Sequence, residues 1–164
     1  MIATTTTATD IAIKMLFDRW NASMKNCTIL LESLSNEALE REIAPGKNRG
    51  IYLLGHLIAV HDDMLPLLDM GGHRYPQLQE PFLKSADRVV AEIPSVSDLR
   101  AMWAEQCEEL RQKFAALTPE QWFEKHTAVS AEDFANEPNR NKLNIILTRT
   151  THLAYHTGQL VLLK

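Results

Sequence analysis

Residues 141–164 read NKLNIILTRTTHLAYHTGQLVLLK, and this stretch decides how the remainder of the chain is interpreted. It contains no proline, and its apolar residues recur at steps of three and four, which predicts a long amphipathic helix. His152 and His156 stand four residues apart within it. Because four residues turn a helix by about 400°, both imidazoles project from nearly one face, one turn apart. Such a pair can bind one metal ion if a third ligand comes from elsewhere in the chain.

Two strips of side chains are predicted along this helix. The histidines share one strip with Ile145, Arg149 and Leu163, and a neighbouring strip is expected to pack against the core: Leu143, Ile146, Leu147, Thr150, Leu153, Ala154, Thr157 and Val161. Zinc proteases of the His-Glu-x-x-His type need a glutamate after the first histidine, and this chain has Leu153 there. The pattern therefore excludes that protease motif.

A second long helix is predicted near the start of the chain. Asp10 is interpreted as its N-cap, and the helix is expected to end near Ser33. The threonine-rich residues 1–9 are predicted to be loose, and residues 34–43 are predicted to form a further short turn or helix. Its core face follows helical spacing: Ile13, Leu16, Phe17, Trp20, Met24, Cys27, Leu31 and Leu34.

A third helix is predicted to begin at Asn48 or Arg49, after a turn-forming segment at residues 44–50, and to run to Met70. Pro66 lies inside it and predicts a kink or an early end near residue 65, because proline lacks the backbone N–H that a helix interior uses. Its packing residues are Leu53, Leu54, Leu57, Val60, Met64 and Leu68.

The fourth long helix is predicted from a capping box at Ser95 and Asp98 to about Leu117. Residues 73–94 are predicted to be a loop with one helical turn around residues 84–90, and Thr118 is predicted to cap a short helix. Residues 128–140 are expected to be irregular, with one turn after Ser130. The sequence thus predicts an all-α fold, a four-helix bundle with long decorated loops, in a single domain over residues 1–164.

Composition narrows the function classes. The chain has 164 residues and a formal net charge of −4, without a dense run of Lys or Arg, so no nucleic-acid partner is expected. No apolar run approaches the roughly 18 residues that a membrane span needs, so no membrane partner is expected. The N-terminus lacks a secretory pattern, and a cytoplasmic location is predicted. Cys27 and Cys107 fall in helical apolar patterns and are predicted to be buried free thiols, with a disulfide between neighbouring helices as the alternative.

Four other histidines, as well as carboxylates, are candidates for the third ligand. His56 is favoured because it lies among apolar residues behind Gly55, and a buried imidazole needs partners for both nitrogens. His61 lies about 140° round the helix from His56, beside two aspartates, and is predicted to be a solvated surface residue. His73 and His126 lie outside the long helices, with no reason to be buried. A hydrogen-bonded core role for His56 and an accidental polar pair at residues 152 and 156 remain alternatives.

Other polar residues near these histidines are secondary candidates. Asp63 shares a helix face with His56 and is expected either to support a ligand or to be solvated. Tyr155 is expected to pack in the core or at an interface, and Gln159 to reach a bound water or to cap the polar strip. Arg149 is expected either to pair with an anionic substrate group or to form a surface salt bridge.

The motif Gly55-His56-Leu57, followed by His152-x-x-x-His156-x-Gly158-Gln159, resembles the DinB/YfiT-like family, whose members are described as metalloenzymes. The resemblance spans roughly residues 10–164. It implies an up-down-down-up four-helix bundle in which His56, His152 and His156 bind a divalent metal ion, most often zinc or nickel. Homodimers are common in that family.

The resemblance also implies a function. Three imidazoles leave coordination positions open for water or substrate, as in catalytic metal sites. The nucleophile is then either a water with a lowered pKa or a substrate thiolate, and relatives use a low-molecular-weight thiol. The sequence therefore predicts a metal-dependent enzyme acting on a small-molecule substrate, as a thiol-dependent transferase or a hydrolase. The alternative is a non-catalytic helical-bundle interaction or stress-response protein with structural histidines.

Overall fold

The structure, a computed structural model, describes residues 6–164. Within that range the only β-type pairings are two isolated bridges, Glu42 with Arg49 and Lys125 with Asn141. The prediction of an all-α fold is confirmed. The α-helices are α1 (Ala8–Ser33), α2 (Asn36–Leu39), α3 (Gly50–Asp62), α4 (Met64–Leu67), α5 (Val96–Ala115), α6 (Pro119–Trp122), α7 (Ala131–Asn136) and α8 (Lys142–Leu160).

Helix α1 begins earlier than the sequence predicted. Thr7 is the N-cap, and its hydroxyl accepts a hydrogen bond from the backbone N–H of Asp10 at 3.1 Å. The Asp10 carboxylate accepts one in return from the backbone N–H of Thr7 at 2.9 Å. Asp10 is therefore the third residue of a capping box and not the cap, because this pairing satisfies two backbone donors at once. Residues 8 and 9 are helical and not loose, and residues 1–5 lie outside the described range.

Helix α3 is the most buried element of the described chain. Tyr52 and His56, four residues apart, are its only members that are not fully buried. The helix ends at Asp62, ahead of the predicted break near residue 65, and a separate turn, α4, follows. Pro66 explains the earlier break, because it offers no N–H to the carbonyl of Asp62 four residues before it. The end predicted at Met70 was therefore too late.

The segment between α4 and α5 is more ordered than predicted. It contains a 3₁₀ turn at Pro76–Leu78 and a π-helical turn at Glu80–Lys84, so the helical turn predicted around residues 84–90 was placed too late. The buried Asp62 carboxylate accepts backbone N–H bonds from Arg74 and Tyr75, both at 2.9 Å, and ties the start of the segment to α3. This attachment brings Phe82, which is fully buried, against α3.

The capping signals read from the sequence are present further along. Ser95 and Asp98 form the predicted capping box of α5, and Thr118 caps α6. Ser130 caps α7, where only a turn had been predicted, and Asn141 caps α8, for which no cap had been predicted. A 3₁₀ turn at Val161–Leu163 extends α8 almost to the end of the chain. Caps of this kind can be predicted without tertiary information, because the side chain accepts a hydrogen bond from a backbone N–H two or three residues later.

Helix α8 is rotated relative to the predicted core strip. Leu147 is 53% exposed and Val161 48%, and Ala154 is exposed as well, although all three were predicted to pack. Three members of the predicted strip are buried as expected: Ile146, Thr150 and Leu153. The other buried residues of this segment lie outside that strip: Lys142, Leu160 and Leu163. The core contact covers a narrower arc than the apolar pattern suggested, because α8 packs mainly along α1 and beside α3. The histidine strip consequently lies at the boundary between core and solvent.

The core lies where α1, α3, α5 and α8 meet. Helix α1 packs along α8, and α3 packs against both α5 and α8. The up-down-down-up order of a four-helix bundle stays a prediction. Among residues 6–164, no helix combines the length and apolar character that crossing a bilayer would need.

Both cysteines are free thiols, as predicted. Cys27 is buried and Cys107 is half-buried. Burial raises the pKa of the Cys27 thiol to about 11 and that of the Cys107 thiol to about 12. Neither thiol is therefore a ready nucleophile at neutral pH.

Candidate metal centre

Three histidine rings from two helices meet at the α3–α8 contact. His56 lies in the middle of α3, and His152 and His156 lie one turn apart on α8. The Nε2 atom of His152 is 3.2 Å from Nε2 of His56 and 3.0 Å from Nε2 of His156. One nitrogen from each ring lies within 4.8 Å of the other two, in an arrangement that can hold a metal ion. The structure thus brings together the three histidines that the sequence singled out.

Two of the rings are oriented by hydrogen bonds at their far nitrogens. Nδ1 of His56 lies 2.9 Å from the backbone carbonyl oxygen of Phe82, and Nδ1 of His156 lies 2.6 Å from Oε1 of Gln159. Both partners are acceptors, so each Nδ1 carries the proton and donates it. The Nε2 atoms of both rings therefore present lone pairs toward His152. This is the tautomer that a metal ligand needs.

Gly55 allows the carbonyl of Phe82 to reach His56. A Cβ atom built on Gly55 would overlap the Phe82 ring, which is fully buried and has no room to move. The π-helical turn at Glu80–Lys84 can therefore lie directly on α3 only because residue 55 lacks a side chain. The element that approaches α3 at Gly55 is thus this short turn and not one of the long helices.

The contacts around His152 fit a cation better than protein hydrogen bonding. Its Nε2 faces the lone pairs of two rings, and a single proton there satisfies only one of them. The lone pair of Nε2 in at least one neighbouring ring would then face Nε2 of His152 at about 3 Å without a proton between them. A tetrahedral ion with metal–nitrogen bonds of about 2.0–2.1 Å separates its ligand atoms by about 3.3 Å, close to the observed spacing. The donor set and its spacing therefore fit a divalent ion such as zinc or nickel.

Electrostatics keep all three rings neutral. Burial is the main cause that lowers the pKa of His152 to about 4, and the neighbouring His156, His56 and Arg149 add to the effect. Burial also lowers the pKa values of His56 and His156, although the carbonyl of Phe82 and the amide of Gln159 oppose this. Neutral imidazoles are the form that binds metal ions.

His61 is not the solvated residue that the sequence predicted. Its side chain is fully buried between Trp20 and Trp103, with ring centroids 5.3 and 5.6 Å away. Neither ring nitrogen has a hydrogen-bond partner among the described residues, and burial lowers its pKa to about 3. The prediction failed because the adjacent aspartates suggested a polar face, whereas Asp62 is itself buried as an anchor for backbone N–H groups.

The other two histidines lie apart from the site. His73 is exposed, as predicted, and its Nε2 is 2.9 Å from the carboxylate of Asp63. His126, half-buried, lies between α6 and α7. Asp63 is engaged by His73 and by the side-chain amide of Gln79, at 2.9 and 3.0 Å, so the structure gives it no hydrogen bond to His56.

Two secondary candidates on α8, Tyr155 and Gln159, both contact His156. Tyr155 is 63% exposed rather than packed in the core, and its ring lies edge-on to His156 at 5.1 Å between centroids. Its hydroxyl accepts a hydrogen bond from the side-chain amide of Gln159 at 3.2 Å. Gln159 thus links Tyr155 to His156. Its position three residues after His156 on the helix makes this contact possible.

Arg149 makes no salt bridge with any residue in the described range, although a surface pair was one of its two predicted roles. It is half-buried, and its Nε atom is buried without a hydrogen-bond partner. It stands three residues before His152 on α8, and its positive charge lowers the pKa values of His56 and His152.

A family model covers the part of the chain that carries this site. The family model described as the DinB superfamily matches residues 19–160, which include α3, α8 and all three histidines. No curated protein matches the chain. The chain belongs to the DinB superfamily.

Proposed function

We propose that this DinB-superfamily protein binds one divalent metal ion through His56, His152 and His156 and is a metal-dependent enzyme acting on a small molecule. The observation that supports this most directly is the convergence of three Nε2 atoms, with the two rings beside His152 already in the tautomer of a ligand. Zinc and nickel both suit an all-imidazole donor set. When bound, such an ion supplies Lewis acidity and stabilises an anionic nucleophile.

The residues around the site define what the chain itself contributes. The Phe82 carbonyl and the Gln159 amide hold two rings in place, so that their Nε2 lone pairs converge. Three protein ligands leave room for a ligand from solution, as in catalytic rather than structural zinc sites. All three rings are half-buried, so a small molecule can approach from the solvent side.

A thiol-dependent transfer is the reaction class that we favour, with hydrolysis as the second. Both cysteines are held in the helical core with thiol pKa values raised to about 11 and about 12, so neither supplies a thiolate at neutral pH. A thiol nucleophile would have to come from a low-molecular-weight thiol in solution. The three-histidine site would then orient that thiol and keep its sulfur ionised.

Metal analysis of protein purified without a histidine tag tests the proposal. We expect about one divalent ion per chain in the wild type and loss of that ion in His152→Ala. His73→Ala is the matched control, because His73 is exposed and pairs with Asp63 away from the three rings. Absence of a stoichiometric ion in the wild type would overturn the proposal. A screen of small thiols against electrophilic acceptors then tests transfer, with His56→Ala as the inactive comparison.

A non-catalytic interaction or stress-response protein with structural histidines is the alternative. The observation that favours it is the set of exposed apolar residues on and after α8: Leu147, Tyr155, Val161 and Leu162. In that case His→Ala changes would alter stability or association, and metal content would stay at background. This alternative would be contradicted if the wild type catalysed thiol transfer and His56→Ala lost that activity while keeping its helicity.

The same exposed residues support a homodimer as part of our proposal. Leu147 and Tyr155 lie two turns apart on one side of α8, and Leu162 continues that side after the helix ends. We expect Tyr155→Glu to shift sedimentation toward the monomer at micromolar concentration, and a wild-type monomer under those conditions would contradict the dimer. The cytoplasmic location stays a prediction.

A further inference from the structure

Arg149 differs from every other arginine of the described range except the exposed Arg19. Those arginines all reach an acidic side chain, an amide or a backbone carbonyl: Arg41, Arg49, Arg74, Arg88, Arg100, Arg111 and Arg140 each have such a partner. Arg149 has none within hydrogen-bonding distance among residues 6–164, and its Nε atom is buried. A half-buried guanidinium without a counter-charge is unfavourable, because desolvation is not offset by a partner.

The position of Arg149 relates it to the three-histidine site. It precedes His152 by three residues and His156 by seven, so all three side chains lie on one strip of α8. The charge of Arg149 also acts on His56 and on the buried His61, across the helix contact in α3.

The nearest acidic group does not neutralise Arg149. Asp63 is the carboxylate whose charge acts on the guanidinium, yet no pair of their atoms lies within salt-bridge distance. Asp63 is instead held by His73 and by Gln79. The guanidinium is thus kept next to the candidate metal centre without a protein partner, where a ligand of the centre can reach it.

We propose that Arg149 binds a carboxylate group of the small molecule whose reacting atom lies at His56, His152 and His156. This inference rests on the proposed function and adds the substrate class, a small carboxylate-bearing molecule such as a thiol acid. A guanidinium pairs with a carboxylate through two parallel hydrogen bonds and matches its single negative charge. A phosphate dianion would call for more cationic groups, and Arg149 is the one cation of residues 6–164 whose charge acts on His56 and His152.

Binding of thiol acids and of their neutral amides to the cobalt-loaded protein tests the role of Arg149 without an activity assay. Mercaptoacetate, 3-mercaptopropionate and 4-mercaptobutyrate are each titrated against their own neutral amides. The thiolate-to-cobalt absorption band reports binding. In the wild type we expect at least one acid to bind about 10-fold or more tightly than its amide, as a charge-assisted pair implies. In Arg149→Gln the ratio should fall to about one, while the affinity for the amide and the cobalt content stay unchanged.

Two further variants separate recognition from structure. Arg149→Lys keeps the charge without the planar fork and should retain only part of the preference for the acid. Arg19→Gln removes one exposed arginine that has no hydrogen-bond partner in the described range, and it should behave as the wild type. Circular dichroism and thermal melts confirm that each variant is folded before its titration is interpreted.

The outcomes distinguish this inference from the proposed function. Normal cobalt binding with equal affinities for acid and amide in the wild type would overturn the role of Arg149 alone. A preference that survives in Arg149→Gln would overturn it as well, and so would tighter binding of 2-mercaptoethylphosphonate than of every carboxylate. Failure of the wild type to bind cobalt would overturn the proposed function and this inference with it.

Discussion

His56 and His152 lie 96 residues apart in the chain, and their Nε2 atoms are 3.2 Å apart in the fold. The contact joins the most buried helix, α3, to the last helix, α8. His156 adds its own Nε2 at 3.0 Å from His152, so three nitrogens from two distant segments face one point. Three neutral rings, two of them with tautomers fixed by hydrogen bonds at Nδ1, make this a site for a cation.

Removing the metal should destabilise the wild type. An ion bound only by the folded state adds RT ln(1 + [L]/Kd), about 2.7 kcal/mol at a hundredfold excess over Kd. For a chain of this size that corresponds to a Tm change of about 5–10 °C. Calorimetry with and without a chelator measures it. His152→Ala should melt at the same temperature in both conditions, and an equal chelator effect in that variant would show that the ion binds elsewhere.

Gln159→Ala should weaken metal binding about 10- to 100-fold, the usual cost of losing a partner that orients a ligand. The reason is that Gln159 accepts the Nδ1 proton of His156 at 2.6 Å and so fixes its tautomer. Gln159→Glu keeps an acceptor and should bind at least as tightly as the wild type. Competition with a chromogenic chelator measures the affinities. Tyr155→Phe removes only the outer hydroxyl contact of Gln159, and an effect as large as that of Gln159→Ala would contradict this explanation.

Gly55→Ala and Gly158→Ala form a matched pair in two helices. At Gly55 an added methyl group overlaps the buried Phe82 ring, so we expect a loss of about 1–3 kcal/mol in the free energy of unfolding and weaker metal binding through His56. At Gly158 the added Cβ meets nothing within 4 Å, so a gain of up to about 1 kcal/mol is expected. Urea unfolding compares them, and equal effects of both substitutions would argue against the role of Gly55.

His61 should make the metal-free protein sensitive to acid. Its pKa is lowered from 6.5 to about 3 by burial, so the unfolded chain binds more protons than the folded one between those values. The free energy of unfolding therefore falls as the pH falls below about 6.5 and is unaffected above it. Between pH 7 and pH 5 the His61 contribution is about 2 kcal/mol.

The variant His61→Phe tests this pH dependence. Phenylalanine fills the space between Trp20 and Trp103 and cannot titrate, so the slope of stability against pH should become shallower by that amount. His73→Phe, at an exposed position, is the control and should keep most of the wild-type slope. Urea midpoints at several pH values, measured in the presence of a chelator, give the comparison. An unchanged slope in His61→Phe would mean that other groups cause the acid sensitivity.

Local patterns in the sequence determined the all-α class and most helix ends. The caps at Ser95 and Thr118 were predicted correctly because each bonds to a backbone N–H only three residues away. The four-residue spacing of His152 and His156 likewise placed both rings on one face of a helix. His56 as the third member needed its apolar surroundings and the family resemblance, and its ligand role is still a prediction. The single-domain organisation also stays a prediction.

Only the tertiary structure decided which faces of these helices are covered. His61 beside two aspartates looked solvated, yet it lies between two tryptophans, and Leu147 looked like core yet is exposed. Periodicity gives the angle between two side chains on a helix but not the direction in which the next helix lies. The Phe82 carbonyl on His56 and the missing partner of Arg149 depend on that direction, because both result from contacts between segments that are distant in the chain.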